Sequence, residues 1–215
     1  MSEWETDLEN SAADFVQVVA PVLQKWSECE NVSVEQVTEE RIAEELDQTA
    51  GVDSWNIKHD DIIRGVASRV QYVSDMHWTN SPPDTFTIRK SRPTGAKTEF
   101  KKRLEAIRKG GLFPYWTTQA YLDEPGGELL SLARVRTEDL IRYINDGDAD
   151  AGDYYTKSPK EEASFFVVDW WRLEDDGIGV KTEKPYESST ELRAKADASQ
   201  VGLSDFMTDG GNSDD

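Results

Sequence analysis

The 215-residue, 24.3 kDa chain carries 24 Lys and Arg against 43 Asp and Glu, a formal net charge of −19. No apolar run approaches the roughly 18 residues a membrane-spanning helix needs, and seven each of Trp, Tyr and Phe argue against a wholly disordered chain. The single cysteine, Cys29, excludes an internal disulfide and a zinc centre built on cysteines. The acid excess is spread along the whole chain, a coat that keeps proteins hydrated and mutually repulsive in a salt-loaded cytoplasm. The expectation is a cytoplasmic protein of a halophilic host, with a viral or plasmid origin open and no membrane partner.

Residues 1–10 are acidic and expected to fray. The stretch "SAADFVQVVAPVLQKWSE" then predicts a helix: Ser11 with Asp14 forms a capping box, and Phe15, Val18, Val19, Val22 and Trp26 share a face. Pro21 should kink or split it. A second helix is expected over "TEERIAEELDQTAG", with Thr38 as N-cap, Ile42 and Leu46 inward and Gly51 as the stop. Strand-like runs follow at Val52–Lys58, Ile62–Val73 and Thr85–Arg89, the last two separated by "SDMHWTNSPPD". A helix from about Thr98 to Lys109 has Phe100, Leu104 and Ile107 as its apolar stripe and ends at Gly110–Gly111. Strands at Tyr115–Leu122 and Glu128–Val135 are joined across "DEPGG", and the helix "TEDLIRYIN" leads into a Gly/Asp-rich loop. The last strand is "SFFVVDWWRL". From about Lys181 periodicity is lost, so 181–215 is expected to be an acidic, largely disordered tail, with one short helix near Glu191–Ala198 open. The fold expected is mixed α/β: one domain over 1–180, with a central sheet of about five to six strands flanked by helices.

Against the acidic background stands Arg89–Lys109, "RKSRPTGAKTEFKKRLEAIRK", nine of whose 21 residues are basic and only two, Glu99 and Glu105, acidic. It is not a phosphate-binding Walker loop, because Ala96 separates Gly95 from Lys97 and the earlier glycine of that motif is missing. On the helix, Glu99, Lys102, Arg103 and Ala106 lie on one flank, roughly opposite Leu104. A solvated face with a Glu99–Arg103 pair explains the helix alone, but not the cations on both sides of it. A concentrated positive surface is the footprint of phosphate binding, and nucleic acid, DNA ahead of RNA, is the polyanion it fits best.

Strand alternation adds to this. Arg69 and Gln71 point to one face, with Val66, Val70 and Tyr72 on the other; Thr85, Thr87 and Arg89 oppose Phe86 and Ile88; Thr117 and Gln119 share a face. Polar residues in the middle of three good strands point to a sheet surface that meets something hydrated or charged.

Asp53 follows a helix-ending glycine and opens a strand, where a carboxylate can help hold a divalent metal if a second converges on it. The order helix, three strands, helix, strand, with this Asp and with Gln71 in the following strand, resembles the restriction-endonuclease-like (PD-(D/E)XK) nucleases. The resemblance covers about Ser11–Leu122. It implies a restriction-endonuclease-like core and a magnesium-dependent hydrolysis of phosphodiester bonds. Asp53 would match the family Asp and Gln71 the Glu/Gln position, while Val73 stands where the family has Lys. Glu99 and Lys102 on the following helix are the substitutes some members would use. The implied catalytic set is Asp53, Gln71, Glu99 and Lys102, with Asp53 and Glu99 on Mg²⁺ and Lys102 orienting water.

The nucleic-acid contacts expected are Arg69, Arg89, Lys90, Arg92, Lys97, Lys101 and Arg103. A homodimer is open. The alternatives are a non-catalytic accessory protein using the same surface, and a structural or assembly protein whose basic segment docks an acidic partner. His59 and His77 show no metal-ligand spacing. Trp170–Trp171 suits core packing better than base stacking, and the Asp146, Asp148, Asp150, Asp153 run lacks the Glu of a calcium loop.

Overall fold

In a computed structural model the described residues are 3–26, 32–36, 55–59, 62–73, 81–92, 94–147, 154–157 and 163–195. Asp53, His77, Cys29, the helix expected over residues 38–51 and the chain from 196 onward lie outside them.

The N-terminal helix starts earlier than its sequence signals say. Helix α1 spans Glu3–Asp14, runs through a π turn at Phe15–Val19 and continues as α2, Ala20–Lys25. Ser11 therefore lies inside a helix and not at its N-terminus. Asp14, its expected capping partner, is 2% exposed: it accepts hydrogen bonds from the Tyr72 hydroxyl (2.7 Å) and the Gly126 N–H (3.0 and 3.2 Å to its two oxygens). It ties the helix to the tip of a hairpin 112 residues away. Pro21 does split the helix. It occupies the first turn of α2, where no intrahelical N–H is required, and the wider π turn absorbs the break. Phe15, Val19, Leu23 and Trp26 form the buried stripe.

That stripe packs on a six-stranded sheet ordered β1-β2-β3-β5-β6-β9. Its strands are β1 (Val32–Gln36), β2 (Trp55–His59), β3 (Ile62–Tyr72), β5 (Trp116–Leu122), β6 (Leu129–Arg136) and β9 (Val180–Glu183). Every pairing is antiparallel except β3–β5. Parallel neighbours need a long crossover, and here it contains strand β4 (Thr85–Ser91) and helix α3 (Glu99–Lys109). Strand β4 joins β8 (Ala163–Asp169) and β7 (Tyr154–Lys157) in a second, three-stranded sheet. On the face opposite α1 and α2 lies a second core. Phe86 and Ile88 of β4, Leu140, Ile141 and Ile144 of α4 (Thr137–Asp146), and Trp170 and Leu173 of α5 (Trp170–Asp175) meet Tyr121, Leu130 and Val135 there.

The mixed α/β class with a central sheet and flanking helices is as expected, with three corrections of detail. The run Thr85–Arg89 is a strand but leaves the main sheet for the second one. Strands β1 and β7 have no counterpart among the expected strands. "SFFVVDWWRL" is a strand only to Asp169, whose extended backbone opens α5; Trp170 is buried as expected but Trp171 is 51% exposed. Residues 181–195 are also more ordered than their composition implies. β9 pairs with β6, and a helix α6 (residues 189–195) buries Leu192 beside Tyr186. Its polar sequence hides these anchors because only every few residues face inward.

Replacing Asp14 by Ala takes a charged acceptor from the Gly126 N–H and the Tyr72 hydroxyl, in bonds that are part-buried. The expected cost is about 1–3 kcal/mol, read by urea unfolding with an unchanged m-value; no loss would mean the clamp is idle.

Candidate nucleic-acid interface and the polar centre behind it

The three polar strand faces do not look out at solvent. They look at one another. The Arg69 guanidinium donates from Nη1 to the Thr87 carbonyl (3.1 Å) and hydroxyl oxygen (3.0 Å). The Thr87 hydroxyl reaches Gln119 Oε1 at 3.1 Å, and Gln119 Nε2 donates to Gln71 Oε1 at 2.9 Å. Parallel pairing of β3 with β5 sets Arg69 beside Gln119 and Gln71 beside Tyr121, so register alone lines these groups up. Tyr121 closes the row: its hydroxyl lies 2.7 Å from Thr85 Oγ1 and donates to the Thr85 carbonyl at 3.1 Å. Burial pushes that phenol up to about 12, which keeps it a neutral donor. Gln119 is 1% exposed, so this is interior structure.

Helix α3 completes the centre from above. Thr98 ends the extended approach and Gly110, at φ +66°, stops the helix in the left-handed region. The flank carrying Glu99 and Arg103 turns inward, while Phe100, Leu104 and Ile107 pack against the second core. Arg103 is 5% exposed. Burial pushes the Glu99 carboxyl up, but the Arg69, Arg103 and Arg89 guanidiniums, with the Arg89 N–H, outweigh it and hold Glu99 below its ordinary value. A cavity of about 30 Å³ remains between β3, β5 and α3. The side chains lining it include Arg69, Thr87, Glu99, Arg103, Thr117 and Gln119. Arg69 and Arg103 line it beside the Glu99 carboxylate.

The rest of the basic island faces outward. Lys97, Lys101, Arg108 and Lys109, with one acid, Glu105, and Leu104, line an open groove of about 460 Å³ on the other side of α3. Glu105 bridges Lys109 (2.5 Å) and Lys97 (2.6 Å), and these two hydrogen bonds lower its carboxyl to about 2. Arg108 donates to Asn145 Oδ1 at 3.0 Å. Arg92 is exposed, and the Lys90 ammonium sits 5.2 Å from the Phe166 ring centre.

The expected site residues therefore divide. Arg69, Arg89, Arg103, Glu99 and Gln71 converge on the interior centre; Arg92, Lys97 and Lys101 are on the outside. Lys102 lines neither the cavity nor the groove. Thr87, Thr117 and Gln119 belong to the centre, and Glu105 to the groove, though none is among the site residues expected from sequence. Their signal is a polar residue at mid-strand, and for Glu105 the i,i+4 spacing to Lys109.

A magnesium site does not fit the described part of this centre. Among the described residues no three His, Cys, Asp or Glu side chains are grouped to hold a metal ion. A divalent cation beside Glu99 would also face three guanidiniums. Comparison with protein-family models, curated proteins and solved structures finds no match.

The lowered Glu99 carboxyl contributes stability in full above its unfolded value near 4.5, and loses it as pH falls toward the folded value. Glu99→Gln should destabilise the protein at neutral pH, and the gap to wild type should shrink as pH drops below about 4.5. Unfolding midpoints measured across that range check this; a gap that does not vary with pH contradicts it.

Proposed function

We propose that the protein binds nucleic-acid phosphates through the outward half of the basic island. The observation that carries this is the groove on α3, where four cations meet one carboxylate on a chain of net charge −19. An acid-coated protein repels a polyanion at long range, so attraction must come from short contacts at a local positive surface. Lys97, Lys101, Arg108 and Lys109 offer such contacts, with Arg92 before the helix. Lys101, Arg108 and Lys109 sit on a helix whose opposite flank packs inward, and Lys97 lies just before its start. Leu104 and the aliphatic stems of the lysines add an apolar floor. Phosphate contacts of this type position a duplex without reading its sequence.

A nuclease of the restriction-endonuclease-like type is the second reading. It is favoured by the element order: N-terminal helix, the antiparallel run β1-β2-β3, then, after β4 of the second sheet, α3 and a strand parallel to β3. Gln71 also bonds with Thr87 and Gln119, which line the same cavity as Glu99. Its metal ligands would have to include groups outside the described residues, Asp53 first among them.

Fluorescence anisotropy with duplex DNA and single-stranded RNA at several salt concentrations tests the binding. The triple variant Lys97→Gln, Lys101→Gln, Arg108→Gln should lower the magnitude of the log K against log salt slope by up to about 2.7 for duplex DNA, about 0.9 for each phosphate no longer neutralised. Binding unchanged in that variant, or absent in wild type at low salt, contradicts the reading. In parallel, plasmid incubated with Mg²⁺ should be retained but uncut; cleavage that Asp53→Ala abolishes would put the nuclease in its place.

A further inference from the structure

We infer that Glu105 regulates the outer groove by competing with the phosphates of a bound strand for two of its four cations. This rests on the nucleic-acid reading of that groove and deepens it. Lys97, just before α3, and Lys109, in its last turn, meet on one carboxylate: Lys97 lies 2.6 Å from Oε2 and Lys109 2.5 Å from Oε1. Each oxygen takes one ammonium, the charge-assisted contact that a phosphate oxygen also makes. Glu105 therefore fills the place of a phosphate with a group the chain itself supplies.

The other two cations differ. Arg108 donates to a neutral group, Asn145 Oδ1, at 3.0 Å, and Lys101 has no ion pair among the described residues. A strand thus finds Lys101 and Arg108 ready and has to displace Glu105 to gain Lys97 and Lys109. The exchange is open to solvent. The Lys97 and Lys109 side chains are 65% and 71% exposed against 39% for Glu105, so an incoming phosphate meets the ammoniums before the carboxylate. Protons do not open the bridge near neutral pH, because the two hydrogen bonds lower the carboxyl to about 2. Competition by another anion does. As a fold-stabilising pair a bridge this exposed contributes little, so its effect falls on the groove. It sets a threshold that a strand presenting several phosphates passes, since each further contact adds to binding.

The test is fluorescence anisotropy with duplex DNA across a salt series. It compares the full wild-type chain with Glu105→Gln and with Glu124→Gln, which removes an exposed acid from the β5–β6 hairpin. Glu105→Gln should bind about tenfold tighter at about 50 mM salt, and its log K against log salt slope should steepen by up to about 1.8, about 0.9 for each lysine released. Glu124→Gln makes the same change in net charge and should match wild type. In a Lys97→Gln, Lys109→Gln background the slope should no longer respond to Glu105→Gln, since no lysine is left to release. Wild-type binding whose affinity and slope are unchanged in Glu105→Gln overturns this inference and leaves the groove reading standing. So does weaker binding in Glu105→Gln, an equal gain in Glu124→Gln, or a slope that still steepens without the two lysines. No binding by either wild type or Glu105→Gln at low salt overturns the groove reading itself, and this inference with it.

Discussion

Glu99 holds together a centre that could not otherwise be buried. Arg69 and Arg89 from the two sheets and Arg103 from α3 all act on its carboxyl, and together they hold it low against the effect of burial. Around this cluster the carboxamides of Gln71 and Gln119 and the hydroxyl of Thr87 take up further donors and acceptors. The result is a polar layer joining β3 and β5 of the large sheet to β4 of the small one. Buried polar contacts of this type specify geometry more than they add stability. A slip of one residue in β4 would replace Thr87 with an apolar neighbour, Phe86 or Ile88, and leave several of these groups unsatisfied.

The same cluster divides the basic island into two parts with different work. Arg89 and Arg103, which look like ligand-binding cations in the sequence, are committed to the interior with Arg69. The outward cations ride on the opposite side of the same helix. Rigidity inside thus presents charge outside, and a single helix serves both. Glu105 tempers the outer surface by bridging Lys97 and Lys109, which orders those two side chains in a groove of net positive charge.

Local chemistry makes much of this legible. The helix from Thr98 to Gly110, its apolar stripe, the strand alternation of β3, β4 and β5, and the break at Pro21 all follow from spacing and from residues with one dominant role. Partnership is not legible in the same way. The polar faces of three strands point to a charged or hydrated surface, and only pairing across two sheets shows that each is the other's surroundings. Asp14 misleads for the same reason: its carboxylate has a helix-cap spacing but is engaged by Gly126 and Tyr72, far along the chain. The segment after Lys181 is obscured by composition, since β9 and α6 are held by few inward residues among many exposed polar ones.

The interior centre depends on Glu99 and the arginines forming one coupled unit. A double-mutant cycle of Glu99→Gln and Arg69→Gln, followed by urea unfolding at neutral pH, measures that coupling directly. The two losses should be strongly non-additive, with a coupling of about 1–3 kcal/mol. Losses that add to within about 0.5 kcal/mol would mean that the two side chains are neighbours without being partners, and that something else holds the two sheets together.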